Sequence, residues 1–511
     1  MAGNYTKSLY KDYEKLSDKY DKLSEEIKLY RNEHILLEQE TRLNNKLKHG
    51  LEEKKAENAA LKREILRLNG LLNTDSSNSG TPTSKTPINK KKRIPNSRKK
   101  TEKHIGGQKG HPKSKLEKFK ENEITENIEH SVGRCPGCGG KMKQMDEEII
   151  KDETDYEVVV VKKRHHFHSY ECMECGAVYR QAVPHDLKEE NQYGSGVKSL
   201  ALLLMDMGNV SVNKACRMME GLSQQEIHPS GGYIIKQQKK AAKALECFEK
   251  ELLNEITRQE ILYWDDTVIM ISTARGCLRF YGTENLALYK AHLHKDKEGI
   301  DSDGILPVLP VETVVMHGHN KVNYNETYSF SNIECNAHLL RDLQKIKDNL
   351  PDHAWAGEMK DFINNIYKER EQAITEGHES FTEEKEESIF RKLNQLLLKG
   401  IGNNKNNDSY YDNEERKLLN RIAKYKSNYF AWVTNFELPF TNNLSERSLR
   451  GTKSKMKISG QFQSLEYAGY YASVKSYIET CYRNGIDEYT ALRRLCDGSP
   501  YTVAEILGKN E

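Results

Sequence analysis

Over residues 5–73, side chains able to line a helix seam recur at alternating spacings of four and three: Leu9, Tyr13, Leu16, Tyr20, Leu23, Ile27, Tyr30, His34 and Leu37. This is the a/d pattern of a coiled coil. A stripe so narrow cannot close a globular core by itself, so it must meet another helix. The phase slips between Thr41 and Leu51, near Gly50, and resumes with Leu51, Lys54, Asn58, Leu61, Ile65, Leu68 and Leu72. Asn58 at a seam position would fix register at some cost in stability. The expectation is one long helix or two, pairing two chains into a homodimer. A helical hairpin folded onto the body is the alternative.

The remaining length calls for several further domains, since 511 residues exceed one ordinary core. Mean hydropathy is −0.81. No run is long enough to span a bilayer and no charged-then-apolar leader opens the chain, so a cytoplasmic protein without a membrane partner is expected. The net charge of +3 hides an uneven distribution. Residues 85–103 carry nine Lys or Arg against one Glu. Lys90, Lys91, Lys92, Arg93, Arg98, Lys99 and Lys100 form a block suited to DNA phosphates, or else a solvated linker. The block follows the Ser-, Gly- and Pro-rich NTDSSNSGTPTSK and precedes HIGGQKGHPKSKL, so 74–125 reads as a flexible basic linker.

Four of the ten cysteines form two CxxC pairs, Cys135/Cys138 and Cys172/Cys175, each followed by Gly. Two such pairs can each grip one side of a tetrahedral Zn²⁺, which marks 126–185 as a zinc-binding module. The stretch DYEVVVVKKRHHFHSY between them is long enough for a hairpin. His165, His166 and His168 are rival ligands, although four cysteines complete the set without them.

Residues 190–257 carry helical periodicity, with a Ser-capped start near IHPSGGY, and serve either DNA binding or connection. ILYWDDTVIMIST is a β-branched strand interrupted by Asp265 and Asp266, which point to opposite faces. Two strands follow with a turn at 282–285, then VETVVM at 311–316 and a helix at 334–350. This succession suits an α/β sheet of ribonuclease-H type over 258–485, with a helical insertion at about 350–433 and a tail at 486–511. In LPFTNNLSERSLRGTKSKMKISGQFQS, Glu446 falls in the first turns of a helix that Asn442 or Asn443 caps. Arg447, Arg450, Lys453, Lys455 and Lys457 crowd around it. Cys335 and His338 form a CxxH step, read as structural.

The zipper, the Ser/Pro linker, GGQKGHPKSKL, the paired CxxC, WDDT, CNAHLLRDL, NNLSERSLR and KISGQF stand in an order that resembles the insertion-sequence-66 family of bacterial DDE transposases. The resemblance implies three carboxylates holding two Mg²⁺ (or Mn²⁺) ions for cleavage and strand transfer of DNA. It makes Asp265 the first acid and Glu446 the third. Arg447, Arg450 and Lys453 would bind DNA, and accessory proteins of the same element are possible partners. The second acid should close the strand before CNAHLLRDL. That place reads His317-Gly318-His319, so Gly318 stands where the resemblance asks for aspartate. Glu312 would lie roughly 20 Å up the strand at about 3.3 Å per residue. Asp301, Asp303 and Glu326 are loop acids that would have to swing in, and imidazole from His317 or His319 suits Mg²⁺ poorly. The expectation is a transposase impaired at this step, or alternatively a non-catalytic DNA-binding relic or regulator of transposition.

Overall fold

The protein, seen here as a computed structural model, is described at residues 2–72, 117–146, 148–184, 187–405 and 409–508. It divides into two compact units, one made of residues 1–92 and 335–440, the other of 93–334 and 441–511. The basic block of residues 90–100 lies outside the described residues. Among the described residues, no helix is long and apolar enough to cross a membrane.

Helix α1 (Ala2–Leu72) runs unbroken for 71 residues, through Gly50. At 1.5 Å per residue it is about 105 Å long. Leu9, Leu16 and Leu23 along the seam are more than half exposed.

A 3-10 turn at Glu121–Glu123 and an antiparallel bridge between Arg134 and Lys141 come first; two short strands, β1 (Ser169–Glu171) and β2 (Val178–Arg180), then pair antiparallel around the second CxxC. The hairpin expected over 155–170 forms there instead, because the Cys172–Gly176 turn reverses the chain. Helices α2 (Ser195–Leu202), α3 (Val212–Leu222), α4 (Gly231–Ala244) and α5 (Glu246–Ile256) follow. Ser230 caps α4 by accepting the Tyr233 N–H. The expected single long helix breaks at Leu245 into α4 and α5.

The sheet contains β3 (Ile261–Ile271), β4 (Ala274–Gly282), β5 (Ala287–His292), β6 (Val314–His317) and β7 (Ser331–Glu334), in the order β5-β4-β3-β6-β7. The first three run antiparallel to one another, while β6 and β7 lie parallel to β3. A short helix α6 (Lys297–Asp301) lies in the connection from β5 to β6.

The helical unit takes in α7 (Asn336–Asn349), α8 (Trp355–Thr375), α9 (Glu383–Asn403), α10 (Tyr410–Lys424) and α11 (Lys426–Thr434). Leu339, Leu343, Trp355, Met359, Leu393 and Trp432 form its core. The chain then returns to the sheet unit as α12 (Asn443–Ser459), α13 (Leu465–Arg483), α14 (Glu488–Cys496) and α15 (Val503–Ile506). Residues 486–508 are not a loose tail: Leu492, Leu495, Val503 and Ile506 are buried in the sheet's core. Their apolar side chains give α14 and α15 a face to bury.

Both sheet faces are covered. Leu262, Trp264 and Val315 share one core with α5 and α14, while Ile269, Ile271 and Phe280 share another with Leu444 and Leu449 of α12. Helix α13 also closes the β5 edge. Ser476 Oγ accepts the Tyr289 N–H at 2.8 Å and Thr480 Oγ1 the Ala287 N–H at 3.2 Å. On β4, fully buried Arg279 donates to Asp303 at 2.9 Å and to the carbonyls of Gly299 and His294 at 2.8 and 2.6 Å. Asp303 also accepts the Tyr281 hydroxyl. Arg279→Met would strand that carboxylate in the interior, and urea denaturation is expected to show a loss of about 3–5 kcal/mol. A loss below about 1 kcal/mol, the range of exposed pairs, would contradict this account.

Candidate active site

Asp265 sits in the middle of β3, on the face of Ile269 and Ile271 over which α12 packs. Its Oδ1 accepts the Asp266 N–H at 2.8 Å. Asp266 points to the other face and pairs with Lys295. Strand alternation thus separates the two acids as expected, and only Asp265 faces α12.

Glu446 comes to the same place from α12. Asn442 stands at the N-cap position, but its side chain bonds none of the helix's first N–H groups. Instead Nδ2 donates to the Trp264 carbonyl at 2.9 Å, and Oδ1 accepts from Ser445 Oγ at 2.8 Å. The start of α12 is thereby fastened beside Asp265. Burial pushes the Asp265 carboxyl up to about 6; the charges of Asp266 and Glu446 push the same way, against the Asp266 N–H and Lys453. A buried carboxyl raised in this way beside other acids is the setting a bound cation relieves.

Position 318 completes the geometry. The parallel pairs Ile261↔Val314, Leu262↔Val315 and Tyr263↔Met316 carry β3 alongside β6. The ladder ends there and β6 ends at His317; carried two steps further, the same register would set Gly318 opposite Asp265. Paired residues share a face, so a side chain at 318 would point where Asp265 points. Gly318 does not have a positive φ, so its backbone accepts an L-residue.

The acids weighed as substitutes are committed or misplaced. Asp303 is locked to Arg279, and Asp301 accepts from Lys297 and Tyr328, both at 2.6 Å. Glu312 and Glu326 are exposed, Glu312 ahead of the start of β6 and Glu326 in the loop before β7. Sequence reasoning missed Glu334, which is buried at the end of β7 and registers with His317. It therefore shares the face of His317, opposite that of Asp265. Its Oε1 accepts from His319 at 2.6 Å and from the Tyr324 hydroxyl at 2.7 Å. Burial pushes this carboxyl up, but those bonds and the nearby imidazoles outweigh it and hold it below the ordinary range. His317 is buried, which lowers its pKa, and its nitrogens meet the Gly318 carbonyl and the Asn332 side chain at 2.8 Å each. Only the Glu directly before CNAH, ending a four-residue strand, marked this network in the sequence.

Of the cations around Glu446, Arg447, Arg450 and Lys453 are exposed at every third position. Lys455 is not one of this set. It turns inward, where Nζ donates to the Met205 carbonyl at 2.8 Å and lies 3.7 Å from Asp206.

Each CxxC pair forms its own tight turn. The Cys135 and Cys172 N–H groups bond the carbonyls of Gly140 and Ala177, while Gly139 and Gly176 adopt φ of +74° and +68°. Backbone N–H groups, of Gly137 first and Cys138 next, hold the Cys135 thiol below its ordinary pKa, and those of Cys175 and Glu174 do so for Cys172. The donors fit a metal as two half-sites, but the four sulfurs are not gathered into one cluster. Among the described residues, the group close enough to hold an ion is His353, Asp412 and Glu415 in the helical unit. Glu415 there already accepts from His353, Trp355 and Asn404, and Asp412 closes the capping box of α10 with Ser409. It is a saturated hydrogen-bond network.

A profile of the IS66 transposase family matches residues 213–469, half of the chain. The chain belongs to the IS66 transposase family. No curated protein matches the sequence. The matched span of this transposase runs from α3 into α13, so it takes in Asp265, Gly318, Glu446 and the whole helical insertion. It excludes α1 and both cysteine turns.

Asp265 carries a stability signature. Its folded pKa of about 6 lies above the ordinary 3.8, so the folded state holds more protons than the unfolded one between those values. The group therefore costs stability once ionised, above both values, and costs nothing below both. Asp265→Asn is expected to raise the melting temperature at pH 7.5. The gain should shrink as pH falls through 6 and vanish below about 4. Thermal melts across this range would count against the site if the gain were absent at pH 7.5 or persisted at pH 3.5.

Proposed function

We propose that this transposase acts on DNA through a ribonuclease-H-like centre built from Asp265 and Glu446, and that the centre is impaired because position 318 lacks the second acid. The observation that carries the reading is the convergence of Asp265 on β3 with Glu446 on α12; the β3–β6 register, carried two steps past its last pair, would put position 318 beside them. The strand order β5-β4-β3-β6-β7, with a helix bearing the last acid, supports the ribonuclease-H assignment. Asp265 and Glu446 would hold Mg²⁺ or Mn²⁺. A metal bound there would supply positive charge for activating a water or DNA 3′-hydroxyl and for stabilising the leaving oxygen. Arg447, Arg450 and Lys453 would position the DNA backbone beside the acids, contributing affinity without sequence information.

Around this centre, α1 would pair two chains through its exposed seam, and the basic block at 90–100 would contact the element's ends. The CxxC turns would share one structural zinc once drawn together. Accessory proteins of the element would join this assembly, and the nucleoid-associated cytoplasm is its place. Metal analysis after dialysis against a chelator is expected to find about one zinc per chain, retained as in a closed four-thiolate site. Replacing Cys172 and Cys175 by Ser should remove it, and equal zinc in the two proteins would eliminate the module.

A second reading, a DNA-binding regulator that assembles on element ends without cutting, is favoured by Gly318 itself. Mg²⁺-dependent cleavage of labelled end DNA decides between active and silent forms. The native chain and Gly318→Asp are expected to bind equally, with cleavage at least about a hundredfold faster in the variant; one catalytic metal-ligand contact is worth several kcal/mol. Equal cleavage by both would mean that another group completes the site.

A further inference from the structure

We infer that Asn442 is a positioning residue that sets the separation of the two site acids. The inference rests on the carboxylate pair proposed above. Asn442 is fully buried, and two of its side-chain hydrogen bonds fall on the residues immediately before each acid. Nδ2 holds the carbonyl of Trp264, which precedes Asp265, at 2.9 Å. Oδ1 holds the hydroxyl of Ser445, which precedes Glu446, at 2.8 Å.

The chemistry of the contact is specific. One end must donate and the other accept, across a short planar group. Aspartate lacks the donor, leucine lacks both functions, and serine has a single oxygen on a shorter stem. The chain's path explains why such a bridge is needed. Between β7 and α12 it leaves the sheet unit and builds the helical unit from 335 to 440, rejoining the sheet unit at Thr441. The covalent chain therefore does little to fix where α12 begins. Asn442, one residue after the return, ties that beginning to β3 at the peptide beside Asp265. Sites of this kind need their ligands held within about 0.5 Å, which falls to the residues behind them.

The test is Mn²⁺ titration of the full chain, followed by electron paramagnetic resonance, with thermal melts on the same samples. Asp265→Asn and Glu446→Gln first establish the site, each expected to weaken Mn²⁺ binding at least about tenfold. Asn442→Ala is then expected to weaken it about tenfold, the lower end of what outer-shell partners of metal ligands cost. Leu449→Ala is the control, since it loosens the same helix by opening its core contact and should leave Mn²⁺ affinity within about twofold at a comparable loss of melting temperature. If Asn442→Ala does not fold, Ser445→Ala removes one arm of the bridge and should weaken binding about threefold. Native affinity in Asn442→Ala, or equal losses in Asn442→Ala and Leu449→Ala, overturns the positioning role while leaving the site intact. Acid substitutions that do not change Mn²⁺ affinity overturn the site, and the inference with it.

Discussion

The parallel pairing of β3 with β6 is the constraint on which the rest of the site depends. A sheet register is discrete, and a slip of one residue would send every side chain of β6 to the other face. With Leu262 and Val315 fixed in the same core, the register is set, and its continuation past β6 would bring residue 318 beside Asp265. The same rule places His317 and Glu334 on the far face, where they bond to Asn332, His319 and Tyr324. A nearby acid is therefore not equivalent to an acid in the site. To reach Asp265, Glu334 would have to abandon two hydrogen bonds and its burial, and Asp303 would have to leave Arg279.

Electrostatics adds a second layer. Burying the Asp265 carboxyl costs folding energy, visible in its raised pKa, and the charges of Asp266 and Glu446 add a smaller part. A third carboxylate at 318 would add to that repulsion until a cation balanced it. Glycine there lowers the charge density and leaves the fold unstrained. The proposed metal chemistry and the fold's stability would thus pull in opposite directions at this one position, a common relation at sites built from like charges.

Much of this was legible in the sequence wherever the signal was local. The strands β3 to β5 followed from β-branched runs and a turn ending in Asn285, and the CxxC turns from the glycines that follow them. Features that depend on distant partners were not legible. Asn442 had the sequence signature of a helix cap, but the Trp264 carbonyl claims its amide. Lys455 looked like one more DNA-binding cation, and only the buried Asp206 and Met205 carbonyl show why it turns inward. Strand β7, only four residues long with Ile333 its one apolar residue, left no period to detect. The apolar residues after 486 had no visible core to join until α5 and the sheet were in place.

The closure of β5 by α13 has a consequence for assembly. An open outer strand invites another chain to add to the sheet. Here the hydroxyls of Ser476 and Thr480 occupy the outward donors of Ala287 and Tyr289. Sheet extension across that border is blocked, and copies of the protein that meet there can do so only through helix surfaces. A complex formed at that border must therefore be built by side chains that can be exchanged one at a time, which leaves its geometry open to change without disturbing the sheet that carries Asp265.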